Sequence, residues 1–478
     1  MKNQIRKLSD VLSNWPVNTN KNDLLQLEQL IAKDYHKIVV LDDDPTGVQT
    51  VHGVSVYTTW DVDSLCAAMQ EDRKLFYILT NSRGLVARET EKLHHEIVRN
   101  VYDAARKCGK EPIFISRSDS TLRGHYPLET DIIRQEIEQN TRQPVHGEIL
   151  FPFFKEGGRY TLEGTHYVRY GNELVPAAQT EFAKDRTFGY NHSYLPDYIR
   201  EKTKGNGSAD RIVCITLEQL RSKDIGGIVS ALTTTKDFCR YCVDALDYSD
   251  VVTFCIALYL AMQKGRRFVF RTAASFVKVM GGISDQPLLS FEKSENNRMG
   301  GLVVVGSHTD KTTRQLEKLL KMPGTVRIPF RAETLLQGEE AFENEISRCI
   351  AAENKALEEG KIAVCYTERT IISRPTDTKN SALERSVKIS NGVQRLVSGI
   401  RMKPTFIVAK GGITSSDIGT KALRVKRAEI LGQIVSGVPV WELGSESLFP
   451  GIPYVIFPGN VGDDDSLLEA VRRLCALD

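Results

Sequence analysis

The chain has no apolar run long enough to cross a bilayer: the longest, Val251 to Met262, falls well short of the roughly 20 residues needed. The segment Met1-Lys2-Asn3-Gln4-Ile5-Arg6-Lys7-Leu8 is too charged for the core of a signal peptide, so a cytoplasmic protein with no membrane partner is expected. No G-x-x-x-x-G-K-[ST], G-x-G-x-x-G or H-E-x-x-H occurs, which excludes the P-loop, the dinucleotide fingerprint and the zincin helix. A formal charge of +2 over 478 residues gives no basic field, and no run of lysine or arginine is interleaved with aromatics, so nucleic acid is not an expected partner. The nine cysteines are scattered and sit mostly in apolar runs, as reduced, buried thiols do; Cys239-Arg240-Tyr241-Cys242 lacks the second pair that a zinc site requires.

What is present is the order of an α/β protein. Short β-branched and aliphatic runs, Lys37 to Leu41, Leu75 to Leu79 and Ile113 to Ile115, alternate with helical patterns near 63–70, 89–107 and 128–140, behind a helical, polar extension over 1–36. Runs at 212–215, 241–243 and 268–270 continue the pattern. The polar, glycine-bearing stretch from Gly281 to Gly301 then interrupts it, and new buried strands follow at 302–305, 362–366 and 406–409. The expected architecture is two α/β domains with mainly parallel sheets, divided as 1–285 and 286–478, with the active site in a cleft between them.

Polar clusters follow the strands of the first domain, where ligands of open α/β sheets bind. Asp42-Asp43-Asp44-Pro45-Thr46-Gly47 crowds carboxylates that raise one another's affinity for protons, so that one can serve as a base; an acidic turn that caps its own backbone is the bland alternative. Asp119-Ser120-Thr121-Leu122-Arg123-Gly124 offers hydroxyl and carboxylate partners for a ligand hydroxyl and a guanidinium fork for a carboxylate, although it could merely open a helix. Arg83, Arg159, Thr180-Glu181 and Arg271-Thr272 add polar groups at loop positions.

Three loops of the second domain repeat one design. Gly306-Ser307-His308-Thr309, Gly411-Gly412-Ile413-Thr414 and Gly459-Asn460-Val461-Gly462 each join a strand to a helix through glycine and a hydroxyl or acidic cap, and such helix starts suit phosphate. Asp463, Asp464 and Asp465, directly after the third loop, either place a metal or cap the last helix.

Taken in order, Asp43-Asp44-Pro45-Thr46-Gly47, Asp119 to Gly124, Glu156-Gly157-Gly158-Arg159, Thr180-Glu181-Phe182-Ala183, Arg271-Thr272-Ala273-Ala274 and the three glycine loops resemble the four-carbon acid sugar kinases over nearly the whole chain. The resemblance implies a sugar-acid-binding N-terminal domain, a nucleotide-binding C-terminal domain, and transfer of phosphate from ATP, with Mg²⁺, to a hydroxyl of threonate, erythronate, 3-oxo-tetronate or a similar acid. It carries nucleotide contacts to Gly306, Ser307, His308, Gly411, Gly412, Ile413, Thr414, Gly459, Asn460 and Gly462. The acid side carries over to Thr46, Gly47, Arg83, Ser120, Thr121, Arg123 and Arg159, with Arg123 foremost for the substrate carboxylate, and the base is one of Asp43, Asp44 and Asp119. Metal ligands and assembly into a homo-oligomer are left open. Pro45, Arg117, His125 and His308-Thr309 depart from the family's common residues and leave the particular acid open. A Mg²⁺-dependent phosphohydrolase and a non-catalytic binding protein are the rival readings.

Overall fold

The computed structural model describes residues 4–17, 20–205, 211–235, 237–292, 300–368, 379–459 and 461–477. The chain divides into two units, one of residues 1–50 and 59–285, the other of 51–58 and 286–478.

In the first unit seven parallel strands lie in the order Ile212–Ile215, Cys239–Val243, Gly147–Phe151, Phe268–Thr272, Pro112–Arg117, Lys37–Asp42 and Leu75–Leu79. Apart from the edge strand Ile212–Ile215, their residues are buried almost throughout, as parallel strands covered on both faces must be, and this is why they read as continuous apolar runs. The register sets Asp42 opposite Arg117, and Arg117 opposite Thr272. Polar residues that end separate strands are thereby brought to one edge.

The apolar stretch Val251 to Met262 lies in the helix Tyr248–Gln263, which is buried on nearly all sides and starts from a capping box between Asp247 and Asp250. Among the described residues no helix is long and apolar enough to cross a membrane. The N-terminal extension holds the helices Leu8–Asn14 and Lys21–Lys33 and the short strand Arg6–Lys7. That strand pairs with Glu173–Pro176 and completes a small antiparallel sheet with Thr165–Tyr170 and Arg159–Leu162.

The second unit has five parallel strands, Pro453–Phe457, Ile407–Lys410, Leu302–Val305, Ile362–Thr367 and Thr325–Phe330. An antiparallel extension follows, in which Val438–Leu443 pairs with Arg427–Val435 and the latter with Val54–Tyr57. The last strand comes from the front of the chain, a crossing that hydrophobic patterning does not show. Lys410, Val305 and Phe457 share one register level, so the three glycine loops leave the sheet side by side.

Candidate functional site

In the first unit the strand ends form a dense ionic cluster. Arg117, at the end of its strand and 4% exposed, donates from Nε to Asp42 Oδ1 at 2.7 Å and from Nη2 to Asp43 Oδ1 at 3.1 Å. Arg83, on the short helical turn Ser82–Gly84, reaches Asp43 Oδ1 at 2.8 Å, Asp44 Oδ2 at 3.3 Å and Asp119 Oδ1 at 3.3 Å. Arg123 grips Asp119 with Nε to Oδ2 at 2.9 Å and Nη2 to Oδ1 at 3.1 Å. The guanidinium expected to await a substrate carboxylate is therefore committed to a carboxylate of its own loop.

The three candidate bases differ in their surroundings. Burial pushes Asp43 above the ordinary carboxylate range against the pull of Arg83 and Arg117. For Asp44 burial acts in the same direction, but Arg83, Arg117 and the Thr46 hydrogen bonds outweigh it and hold the group low. Asp44 Oδ1 accepts from the backbone and the hydroxyl of Thr46, at 2.8 and 2.5 Å, as a turn-capping aspartate does. Asp119 is also buried, yet Arg83, Arg123 and the Thr121 hydroxyl hold it far below the usual range. Asp42, one of the crowded carboxylates but not among the three candidate bases, is pushed up to about 7 by burial despite Arg117.

Gly47 packs against the Asp42 and Arg117 side chains, since a Cβ there would stand 2.2 Å from Asp42 Oδ1. Ser120 accepts a hydrogen bond at its carbonyl from His166 Nε2 at 2.8 Å; burial pushes that imidazole down to about 4, so it is neutral at physiological pH. Leu122 carries a φ of 70° and Gly124 one of 112°, so the loop is sharply folded. Its shape is fixed from outside by the hydroxyls of Tyr190 and Tyr198, which donate to the carbonyls of Thr121 and Leu122 at 2.7 and 2.8 Å. Arg159 and Arg271 border the same loop: Arg271 Nη2 donates to the Arg123 carbonyl at 2.8 Å, and Arg159 and Arg123 lie over one Phe182 ring at 5.4 and 5.1 Å.

In the second unit hydroxyls and carbonyls fasten the glycine loops to one another. The amides of Gly306 and Ser307 both donate to the Lys410 carbonyl, and Thr312 Oγ1 donates to the Gly459 carbonyl at 2.9 Å and lies 3.0 Å from Ser307 Oγ. Thr309 caps the helix Asp310–Leu319, and its hydroxyl also meets the Gly459 carbonyl at 3.1 Å. A Cβ on Gly306 would come 2.1 Å from Thr414 Oγ1, and one on Gly459 would come 2.9 Å from Ser307 Oγ. Gly411, with a φ of 123°, would bring a Cβ to 3.3 Å from Ser307. The glycines thus allow the loops to close on one another. Gly412 and Ile413 open the helix Gly412–Asp417, with the Ile413 side chain 79% exposed, and His308 Nε2 lies 3.4 Å from Thr367 Oγ1. Gly462, with a φ of 81°, packs against Ser466, while Asn460 lies outside the described residues.

The acids after the third loop are occupied. Asp463 accepts from the Ser466 hydroxyl at 2.8 Å and the Asp465 amide at 3.0 Å, Asp464 pairs with Arg314, and Asp465 pairs with Lys318. Among the described residues no group of three or more His, Cys, Asp and Glu side chains is arranged to hold a metal ion. One residue of this region carried no expected role: Lys410 is fully buried, its Nζ 2.8 Å from the Pro458 carbonyl and 3.9 Å from the centre of the Phe457 ring. Burial pushes its ammonium down to about 7. A lysine directly after an apolar strand run was the only signal of it.

Comparison with known proteins gives the two units their families. Residues 38–280 match the sugar-binding N-terminal domain, and residues 302–467 the nucleotide-binding C-terminal domain. Among solved structures, Haemophilus influenzae HI1011, of the DUF1537 family, is 17% identical with a TM-score of 0.60, over 90% of this chain and 98% of its own. A Salmonella typhimurium LT2 protein named as a tRNA synthase is 18% identical with a TM-score of 0.66, over 91% and 98%. Identities this low speak for the fold alone, and no curated protein matches. With both domain matches in order along the chain, and the motifs of each at the strand ends of its own unit, the protein belongs to the four-carbon acid sugar kinase family.

Proposed function

We propose that the protein transfers the γ-phosphoryl group of ATP to a hydroxyl of a four-carbon sugar acid such as threonate, erythronate or 3-oxo-tetronate. The observation that carries this reading is the coexistence of a carboxylate and guanidinium cluster at the strand ends of a sugar-binding unit with three joined glycine loops in a nucleotide-binding unit.

The loops suit a nucleotide chemically: positive-φ glycine at 411 and 462, threonine and serine hydroxyls, and a helix start at Asp310 face one sheet edge, the combination that binds phosphate oxygens. Gly306, Ser307, His308, Gly411, Gly412, Ile413, Thr414, Gly459 and Gly462 are the residues assigned to it. The nucleotide supplies the phosphoryl group, and Mg²⁺ would arrive on its phosphates, the usual way this ion enters such sites.

On the acid side Asp43 is assigned as the base. Its carboxyl is buried and raised, so it accepts a proton more readily than Asp44 or Asp119, which their arginine and hydroxyl partners keep ionised. Asp119 then acts as the anchor of Arg83 and Arg123, and Thr46, Gly47, Ser120 and Thr121 shape the two loops around it. In-line transfer needs the γ-phosphorus and the acceptor oxygen within roughly 3–3.5 Å of one another.

The test is ADP release from ATP by the purified chain, with Mg²⁺, against a panel of tetronic and longer aldonic acids. ADP formation that depends on one acid supports the reading. ATP left unconsumed across the panel overturns it, and phosphate release from a sugar phosphate without ATP replaces it with a hydrolase.

A further inference from the structure

Two arginines that border the Asp119 loop make no ion pair among the described residues. Arg83, Arg117 and Arg123 each pair with carboxylates, but among the described residues Arg159 and Arg271 pair with none. Arg271 is 2% exposed and spends Nη2 on the Arg123 carbonyl, while its Nη1 has no hydrogen-bond partner. Arg159 is half-buried; Nη1 donates to the Gly157 carbonyl and Nε has no partner. The hydroxyl of Thr272, the residue after Arg271 and the last of its strand, is also buried and unpartnered. Orphaned donors of this kind are rare in folded proteins, and the carboxylates that act on the two guanidinia, Asp43 and Glu129 on Arg271 and Asp119 and Glu181 on Arg159, do so through space and leave those donors unfilled.

The two cations meet around Arg123, whose carbonyl receives Arg271 and whose guanidinium shares the Phe182 ring with Arg159. Arg123 itself is spent on Asp119. A carboxylate has two oxygens and about four acceptor positions, which matches the unused donors of the pair and of Thr272.

We propose that Arg159 and Arg271 hold the acid group of the acceptor, and that the Arg123 and Asp119 pair positions them. The proposal rests on the sugar-acid reading above and moves the acid-recognising role from Arg123 to two arginines 112 positions apart in sequence. Gly124 fits the arrangement, since a Cβ there would stand 3.5 Å from Asp43 Oδ2 and 4.0 Å from Arg271 Nη2, inside the space between the assigned base and the acid-binding cation.

Calorimetric titration of the full chain with threonate and erythronate, and with the uncharged tetritols threitol and erythritol, tests the assignment without nucleotide. The wild-type protein should prefer acid over tetritol roughly ten- to hundredfold, the range for a charge-assisted hydrogen bond. Arg159→Met should bring that ratio close to one and Arg159→Lys should restore part of it, whereas Arg123→Met should keep the preference even where overall affinity falls. Arg271→Met lies deep in the sheet and can fail to fold, so the decision rests on Arg159, with Thr272→Val as a second variant expected to lower acid affinity severalfold. A ratio unchanged in Arg159→Met, a ratio lost only in Arg123→Met, or no wild-type preference for the acids overturns the assignment. ADP release separates the two readings: turnover on a tetronate with an unchanged ratio in Arg159→Met sinks only the arginine assignment, and acid binding through Arg159 without ADP release sinks only the kinase.

Discussion

Arg117 and Asp42 face one another across adjacent parallel strands, Nε to Oδ1 at 2.7 Å, and Gly47 closes over them with no room for a methyl group. Gly47→Ala must push its new carbon against Asp42 Oδ1 and Arg117 Cζ, groups held by buried partners that cannot turn away. We expect a loss of about 1–3 kcal/mol, the usual penalty of overpacking, visible as a lower urea midpoint with an unchanged slope. A variant as stable as the parent would show that the loop from Asp44 to Gly47 gives way freely.

Asp43→Asn should reduce turnover by about two to four orders of magnitude, the usual contribution of a general base, while acid binding is retained. In the parent enzyme the rate should fall on the acid side with an apparent pKa above the ordinary aspartate value, because burial favours the protonated form. Asp119→Asn should act differently, raising KM as Arg83 and Arg123 lose their anchor. Equal effects of both variants on kcat alone would remove the distinction drawn between the two acids.

Gly459→Val places its side chain against Ser307 and should weaken a non-hydrolysable ATP analogue at least tenfold while threonate binding stays as it was. Thermal melting with each ligand reads both effects in one experiment, since a ligand stabilises in proportion to its occupancy. Full nucleotide affinity in this variant would mean that the three loops serve only the packing of the unit.

Lys410 predicts a pH dependence of stability. Its folded form gives up a proton near 7, whereas the unfolded side chain holds it to about 10.5, so between these values the unfolded state binds more protons and stability rises with pH. Relative to Lys410→Met, the parent should gain up to about 2–3 kcal/mol between pH 7 and 9. Parallel pH profiles for the two proteins would show that the ammonium finds charge-stabilising partners.

Chelation should abolish ADP release and added Mg²⁺ restore it, with acid binding unaffected, because Mg²⁺ enters such sites on the nucleotide's phosphates and no described group of three or more His, Cys, Asp or Glu side chains is arranged to hold it. Acid binding that also required the metal would place the ion in the first unit.

The parallel strands were legible because burial on both faces demands unbroken apolar runs such as Leu75 to Leu79 and Leu302 to Val305. The small sheet around Thr165–Tyr170 was not, since its strands mix polar and apolar residues with no unbroken apolar run. Site residues were legible as types and places, less so as partners. Arg123 and Asp119 stand four residues apart and could have been read as a pair, but the loop fold that joins them depends on tyrosines some 70 residues onward. That Arg159 and Arg271 keep buried donors without a hydrogen-bond partner depends on every neighbour around them, and no local motif can carry it.

The strand Val54–Tyr57 has a consequence for the birth of the molecule. Ser55 and Arg427, which meet through a 2.7 Å hydrogen bond, are 372 residues apart in sequence. A ribosome therefore emits this segment long before it emits the hairpin that will receive it, and the first unit must form around a gap in its own sequence from Thr50 to Thr59. Loop closure over such a span is slow, and until it occurs the edge of Arg427–Val435 lies open to any passing strand. Cutting the gene at residue 285 would make that state permanent, so the nucleotide-binding half expressed alone should be the aggregation-prone fragment.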